Sequence, residues 1–249
     1  IYGGEGLELD LINADNRGKL FGILNGCVYH DEIDCKQTER PELSERLQTI
    51  LTPATQELAT WMARTEQLTS SHYLANERVK NWLNTHHFTG PLVTSVGRLT
   101  DQKMLLLRKP VGKSKDESNA INALPLMLTD LAKVNGCMII LGSGDPTISV
   151  EFTQLMAQHD NFLFLNGYGQ SLTDALYEFG DIFLMPSSFE PCGISQMLAL
   201  RAGQPCLVHS VGGLKDTVKH RENGFCFEGN SIIAQQQQMV AVFKQAINL

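Results

Sequence analysis

The chain has no apolar run long enough to cross a membrane and no basic segment leading into an apolar one at its start, so neither a spanning helix nor a secretory leader is expected. It begins at Ile1 without Met, as a piece of a longer or processed protein would. Paired cysteines are also missing. Cys27, Cys35, Cys137, Cys192, Cys206 and Cys226 form no CxxC, and the histidines are not at zinc spacing. Cys137 and Cys206 stand inside apolar runs, where a free thiol packs as a small hydrophobe. This usage excludes a disulfide scaffold and a structural zinc site, and it predicts a reducing, cytoplasmic setting. Positive charge is in short supply, with 20 Lys and Arg against 27 Asp and Glu, a net −7. A nucleic-acid binder would carry a basic surplus or stripe, so none is expected as partner. Any anionic ligand must be held by a few local cations.

What the chain does have is an ordinary globular composition, 43% hydrophobic and 19% charged over 249 residues, enough for one large domain with an appended piece. From Pro91 onward, strand-length apolar runs alternate with stretches of helical period. The strands expected are Leu92–Val96, Met138–Leu141, Phe162–Leu165, Ile182–Met185 and Cys206–His209. The helices expected are Asn119–Val134, Thr147–Gln158, Ser171–Phe179, Cys192–Arg201 and Ser231–Ile247. This order predicts an α/β domain over 91–249: a Rossmann-like parallel sheet with helices on both faces. Residues 1–90 read as a connecting, mostly helical segment, with helices over Leu43–Ile50, Thr55–Arg64 and Asn76–Asn84. Residues 108–118, basic then acidic with Pro and Gly, read as an exposed loop.

Ligands of such sheets sit beyond the carboxyl ends of the strands, so chemistry is sought in the loops that follow them. Arg98 and Lys103 lie just past the first strand. A guanidinium fork and an ammonium suit a diphosphate, although two solvated charges would read the same. In Pro186-Ser-Ser-Phe-Glu-Pro-Cys-Gly-Ile-Ser195, Glu190 precedes an expected helix start near Cys192. Unpaired N–H groups there attract anions, and the small residues Cys192, Gly193 and Ser195 would let a phosphate approach closely. Glu190 reads equally as a first-turn acid favoured by the helix dipole. Gly167-Tyr168-Gly169 offers a ring to stack on a nucleobase, or a buried ring with a bonded hydroxyl. Gly142-Ser-Gly-Asp145 is half a dinucleotide fingerprint and reads as a plain turn. Val211-Gly-Gly-Leu214 either approaches a ligand or turns the chain.

Taken in order, these loops resemble those of bacterial glycogen synthases and starch synthases. Residues 96–103 are similar to the family's V-S-R-L-T-x-Q-K segment, residues 189–196 to F-E-P-C-G-L-x-Q, and residues 211–218 to V-G-G-L-x-D-T-V. Gly22-Ile-Leu-Asn-Gly26 and Glu5-Gly-Leu-Glu-Leu resemble the connection that precedes this domain. The resemblance is tight after residue 91 and loose over 27–90. It implies the C-terminal half of a two-domain GT-B glycosyltransferase, with the N-terminal acceptor domain lying outside this chain.

The implied reaction moves glucose from ADP-glucose to the non-reducing end of an α-1,4-glucan, retaining the anomeric configuration, with no metal or other cofactor. The resemblance assigns Arg98 and Lys103 to the donor diphosphate and Glu190 to the transferred glucose. It assigns Pro191, Cys192, Gly193, Ile194 and Ser195 to the phosphates and sugar, and Gly167 and Tyr168 to the base. An isolated chain of this kind would be inactive. Gly97 stands where the family has Ser and Met104 where it has Gly. Leu198 holds the position eight residues after Glu190 at which related transferases carry a second Glu. The alternatives are another GT-B transferase that uses a UDP-sugar, or a non-catalytic nucleotide- or glucan-binding regulator on the same scaffold.

Overall fold

A computed structural model describes residues 6–23, 25–28, 40–64, 69–85, 87–111 and 121–248. Cys35, most of the 108–118 stretch and part of the connecting motifs lie outside the described residues. The strands are β1 (Leu92–Val96), β2 (Cys137–Leu141), β3 (Phe162–Leu165), β4 (Ile182–Met185), β5 (Cys206–His209) and β6 (Gly224–Phe227). They pair in parallel throughout, in the order β3-β2-β1-β4-β5-β6. Every strand residue is buried except Val96 and Cys226, which are half-buried, so both faces of the sheet are covered.

The helices are α1 (Glu8–Asn16), α2 (Leu43–Arg64), α3 (Ser70–Asn84), α4 (Asp101–Arg108), α5 (Ala123–Lys133), α6 (Pro146–Gln158), α7 (Gln170–Phe179), α8 (Ser195–Arg201), α9 (Gly212–Thr217) and α10 (Ile232–Ala246). α4, α5 and α10 pack together, with α10 also against β5 and β6. α2 packs on α3 and α7, and α3 on α6 and β3. Leu47, Ile50, Leu51 and Leu58 of α2 and Val79 and Trp82 of α3 share one apolar cluster with the strands β1, β2 and β3. Arg46 of α2 reaches the N-terminal ends of the two central strands, β1 and β4, bonding the Phe179 carbonyl at 2.7 Å and Asp181 at 3.0 Å, while Asp181 accepts from the Leu92 N–H at 2.7 Å. The segment before residue 90 therefore completes the core of the sheet.

Several elements depart from the sequence reading. α2 is one helix across Pro53, where two were expected. β6 was not anticipated. Arg108, expected in a loop, closes α4, where it forms two bonds to Glu151, at 2.6 and 2.8 Å, and one to Asp101 at 2.5 Å. α8 starts at Ser195 instead of Cys192, because Gly193 takes φ +77, which a right-handed helix cannot include.

Candidate functional site

Strand order reverses between β1 and β4, and the crevice at such a reversal is where open parallel sheets take ligands. The loops leaving these two strands are 97–100, which carries Arg98, and 186–194, which carries Glu190 and Pro191–Ile194. They are stitched together by Gln102. Its carbonyl accepts from the Ser188 N–H at 2.8 Å and from the Ser188 hydroxyl at 3.1 Å, and its amide donates to the Phe189 carbonyl at 2.9 Å.

This stitching brings Lys103, in the first turn of α4, onto Glu190. Lys103 Nζ donates to Glu190 Oε2, and the Ser187 hydroxyl donates to the same oxygen at 3.2 Å. The pair is largely buried, with side-chain exposure of 17% for Lys103 and 9% for Glu190. Oε1 of Glu190 has no hydrogen-bond partner among the described residues. Glu190 stands five residues ahead of Ser195, the first residue of α8, so it is not a first-turn acid. Ser187 is fully buried, and its carbonyl accepts a 3.0 Å bond from Nδ1–H of His209 at the end of β5.

The backbone of this loop is braced by the turn after β5. The Gly213 N–H donates to the Glu190 carbonyl at 3.2 Å. A Cβ at Gly212, where φ is +45, would collide with that same carbonyl, and one at Gly213 would collide with Cys192. The glycines of Val211-Gly-Gly-Leu214 are therefore there for contact with the Glu190 loop. Beyond Glu190 the chain runs through Pro191, Cys192, Gly193 and Ile194 to Ser195. Among the described residues, the N–H groups of Cys192, Gly193, Ile194 and Ser195 donate to no protein acceptor. Four consecutive free donors are a ready anion site.

Next to this loop is a cleft of about 300 Å³, lined by Arg98, Gly142, Gly167, Tyr168, Tyr177 and Ser195 among others. Arg98 is exposed, and its guanidinium makes no hydrogen bond or ion pair among the described residues. Tyr168 is 62% exposed, its hydroxyl bonded to Gln170 Oε1 at 2.5 Å, so the ring is not a buried one. Gly144 and Asp145 form the plain turn expected there, with Asp145 capping α6 through the Thr147 N–H at 2.7 Å. The structure thus gathers Arg98, Gly167, Tyr168 and Ser195 on one cleft and joins Lys103 to Glu190, with residues 190–195 linking the two sets. The sequence reading missed Ser187, three residues before Glu190, and Tyr177, one turn further along α7 than Thr173. Burial pushes the Tyr177 hydroxyl above its ordinary pKa, keeping it a donor at neutral pH.

Residues 89–247 match the family of glycosyl transferases group 1. A glycogen synthase of Photobacterium profundum is 32% identical over 218 residues, covering 87% of this chain and 36% of that protein. A glycogen synthase of Deinococcus deserti is 31% identical over 244 residues, covering 97% of this chain and 45% of that protein. The chain therefore spans less than half the length of these curated relatives. Among solved structures, the catalytic domain of starch synthase IV from Arabidopsis thaliana, bound to ADP and acarbose, superposes with a TM-score of 0.60 at 24% identity, over 99% of this chain and 44% of that one. The matched region contains the whole sheet, the switch-point crevice and both loops that meet there, and the chain belongs to the glycosyl transferases group 1 family.

Proposed function

We propose that this chain is the donor-binding part of a retaining glycosyltransferase that moves glucose from ADP-glucose to the 4-hydroxyl at the non-reducing end of an α-1,4-glucan. The observation that carries the reading is the buried Lys103–Glu190–Ser187 cluster at the strand-order reversal, beside an unpaired Arg98 and four free N–H groups. The names of the relatives at 31–32% identity point to the same reaction. The greater length of those relatives leaves room for a facing domain that holds the glucan.

The chemistry follows from charge. As the glycosidic bond to the diphosphate breaks, negative charge grows on the departing oxygen. Arg98 is free to form a bidentate pair with a phosphate, and the N–H groups of Cys192–Ser195 add donors aimed at the same region. Lys103 has three protons, so it can hold Glu190 and still meet the diphosphate. With Oε2 engaged by Lys103 and Ser187, Glu190 presents Oε1 to a sugar hydroxyl and fixes the glucose for attack. Two cations supply the charge, so the proposed reaction uses no metal or cofactor. The five described cysteines are free, which fits a cytoplasmic enzyme, and no helix among the described residues is long and apolar enough to cross a membrane.

The test is glucan elongation from ADP-glucose by a polypeptide carrying this chain with its acceptor-binding partner domain. Arg98→Ala and Lys103→Ala are each expected to cut turnover by about 10²–10³, the usual loss when one preorganised donor is removed. Near-parental turnover in both variants would sink the assignment. Tighter competition by UDP than by ADP would instead favour a UDP-sugar transferase.

A further inference from the structure

The turn carrying Tyr168 is held from outside the matched domain. His72 of α3 donates through Nε2 to the Asn166 carbonyl at 3.0 Å. The Trp61 indole N–H, from α2, donates to the Tyr168 carbonyl at 3.2 Å. The indole lies against Gly167 so closely that a Cβ there would stand 2.6 Å from Cε2, and the Glu57 carboxyl fills the space a Cβ at Gly169 would need. Trp61 and His72 are themselves in ring contact, with centroids 6.0 Å apart. Tyr168 is exposed at the cleft, while the backbone of the turn that carries it is held by two helices that precede residue 89.

We infer that Trp61 is a positioning residue for the nucleobase: by clamping the backbone of Gly167 and Tyr168 it sets where the Tyr168 ring stands, and so governs affinity for the base but not for the diphosphate. This rests on the reading of the cleft as a nucleotide site. The two ends of the ligand then answer to different parts of the chain. The phosphates depend on Arg98, Lys103 and the 191–195 loop, and the base depends on a segment outside the family match. The glycines of the Gly-Tyr-Gly turn serve this clamp, since a side chain at either would push α2 away.

The experiment is calorimetric titration of the 249-residue chain with ADP and, separately, with inorganic pyrophosphate. Loss of one base-stacking contact weakens binding by roughly tenfold. Trp61→Ala is expected to weaken ADP binding by about that factor, as Tyr168→Ala does, and to leave pyrophosphate within about twofold of the parent. The double variant should bind ADP no more weakly than Tyr168→Ala alone, because Trp61 acts through Tyr168. Trp61→Phe, which keeps a ring against Gly167, should recover part of the loss, and Gly167→Ala, which displaces the indole from the other side, should reproduce it. A drop for Tyr168→Ala with parental ADP affinity in Trp61→Ala and Gly167→Ala would overturn this inference alone. Equal loss for ADP and pyrophosphate in Trp61→Ala would also overturn it, since that marks general damage to the cleft. No effect in Tyr168→Ala, or no binding of either probe by the parent, would overturn the reading of the cleft and this inference together.

Discussion

His209 bears on the site without touching it. Its Nδ1–H holds the Ser187 carbonyl, and its ring stacks on Phe227 with centroids 5.1 Å apart and planes within 8°. Burial is the largest influence on the imidazole and holds its pKa below the ordinary value. As pH falls through about 6.5, the unfolded chain takes up this proton before the folded one does. His209 therefore stabilises the fold fully above that pH and loses its contribution as pH drops towards its folded value. Each kcal/mol lost lowers Tm by about 2–4 °C in a chain of this size. Burial lowers the pKa of His159 as well, so the contribution of His209 is read as a difference between chains. His209→Gln, which keeps an amide donor for Ser187, is expected to melt with a smaller drop in Tm between pH 8 and pH 5.5 than the parent. Equal drops in thermal scans of the two proteins would refute this account.

At the scale of elements, α2 and α3 are structural partners of the sheet. Burying an aliphatic side chain of the size of Leu51 or Val79 is worth about 1.5–3 kcal/mol, and the two helices bury several against β3, α6 and α7. A chain beginning at residue 89, where the family match starts, is expected to lose cooperative melting and to bind a hydrophobic dye. A sharp transition within a few degrees of the parent would show that the helices are dispensable. This role was not legible in the sequence. The periodicity of 43–84 announced helices, but nothing in a local pattern says which distant surface an amphipathic face will cover. Two helices were expected on either side of Pro53, yet one helix anchored by Ile50, Leu51, Ala54 and Leu58 carries it through. β1, β3, β4 and β5 were legible to the residue because short apolar runs between Gly, Pro, Asn and Asp have few other uses. β6 was not, since Gly-Phe-Cys-Phe opens on Gly and holds no Val, Ile or Leu, and its pairing with β5 is what makes it a strand. Of the candidate site, the positions of Arg98, Lys103 and Glu190 just beyond strand ends were legible, since the strands that set them are local patterns, while their roles came only from the resemblance. Ser187 and Trp61 act through contacts that no spacing announces.

For the whole molecule, the decisive fact is where the sheet changes direction. The half running from β1 through β2 to β3 and the half running from β4 through β5 to β6 meet at the crevice that holds the Lys103–Glu190 pair, so a ligand bound there touches both halves. A ligand that binds only the folded state stabilises it by mass action, by about 2.7 kcal/mol at a hundred times its Kd. ADP at that concentration is expected to raise Tm by about 5–10 °C in thermal scans. The rise should be much smaller at the same ADP concentration in Arg98→Ala, and an equal rise there would remove Arg98 from the binding site.

The backbone-to-backbone seating of Gly212 and Gly213 on Glu190 and Cys192 has a practical corollary for anyone redesigning this crevice. Segments 186–195 and 211–214 behave as a key and its lock. Transplanting either one from another transferase leaves a mismatched seam, and only an exchange of both together preserves the seating of the Glu190 loop.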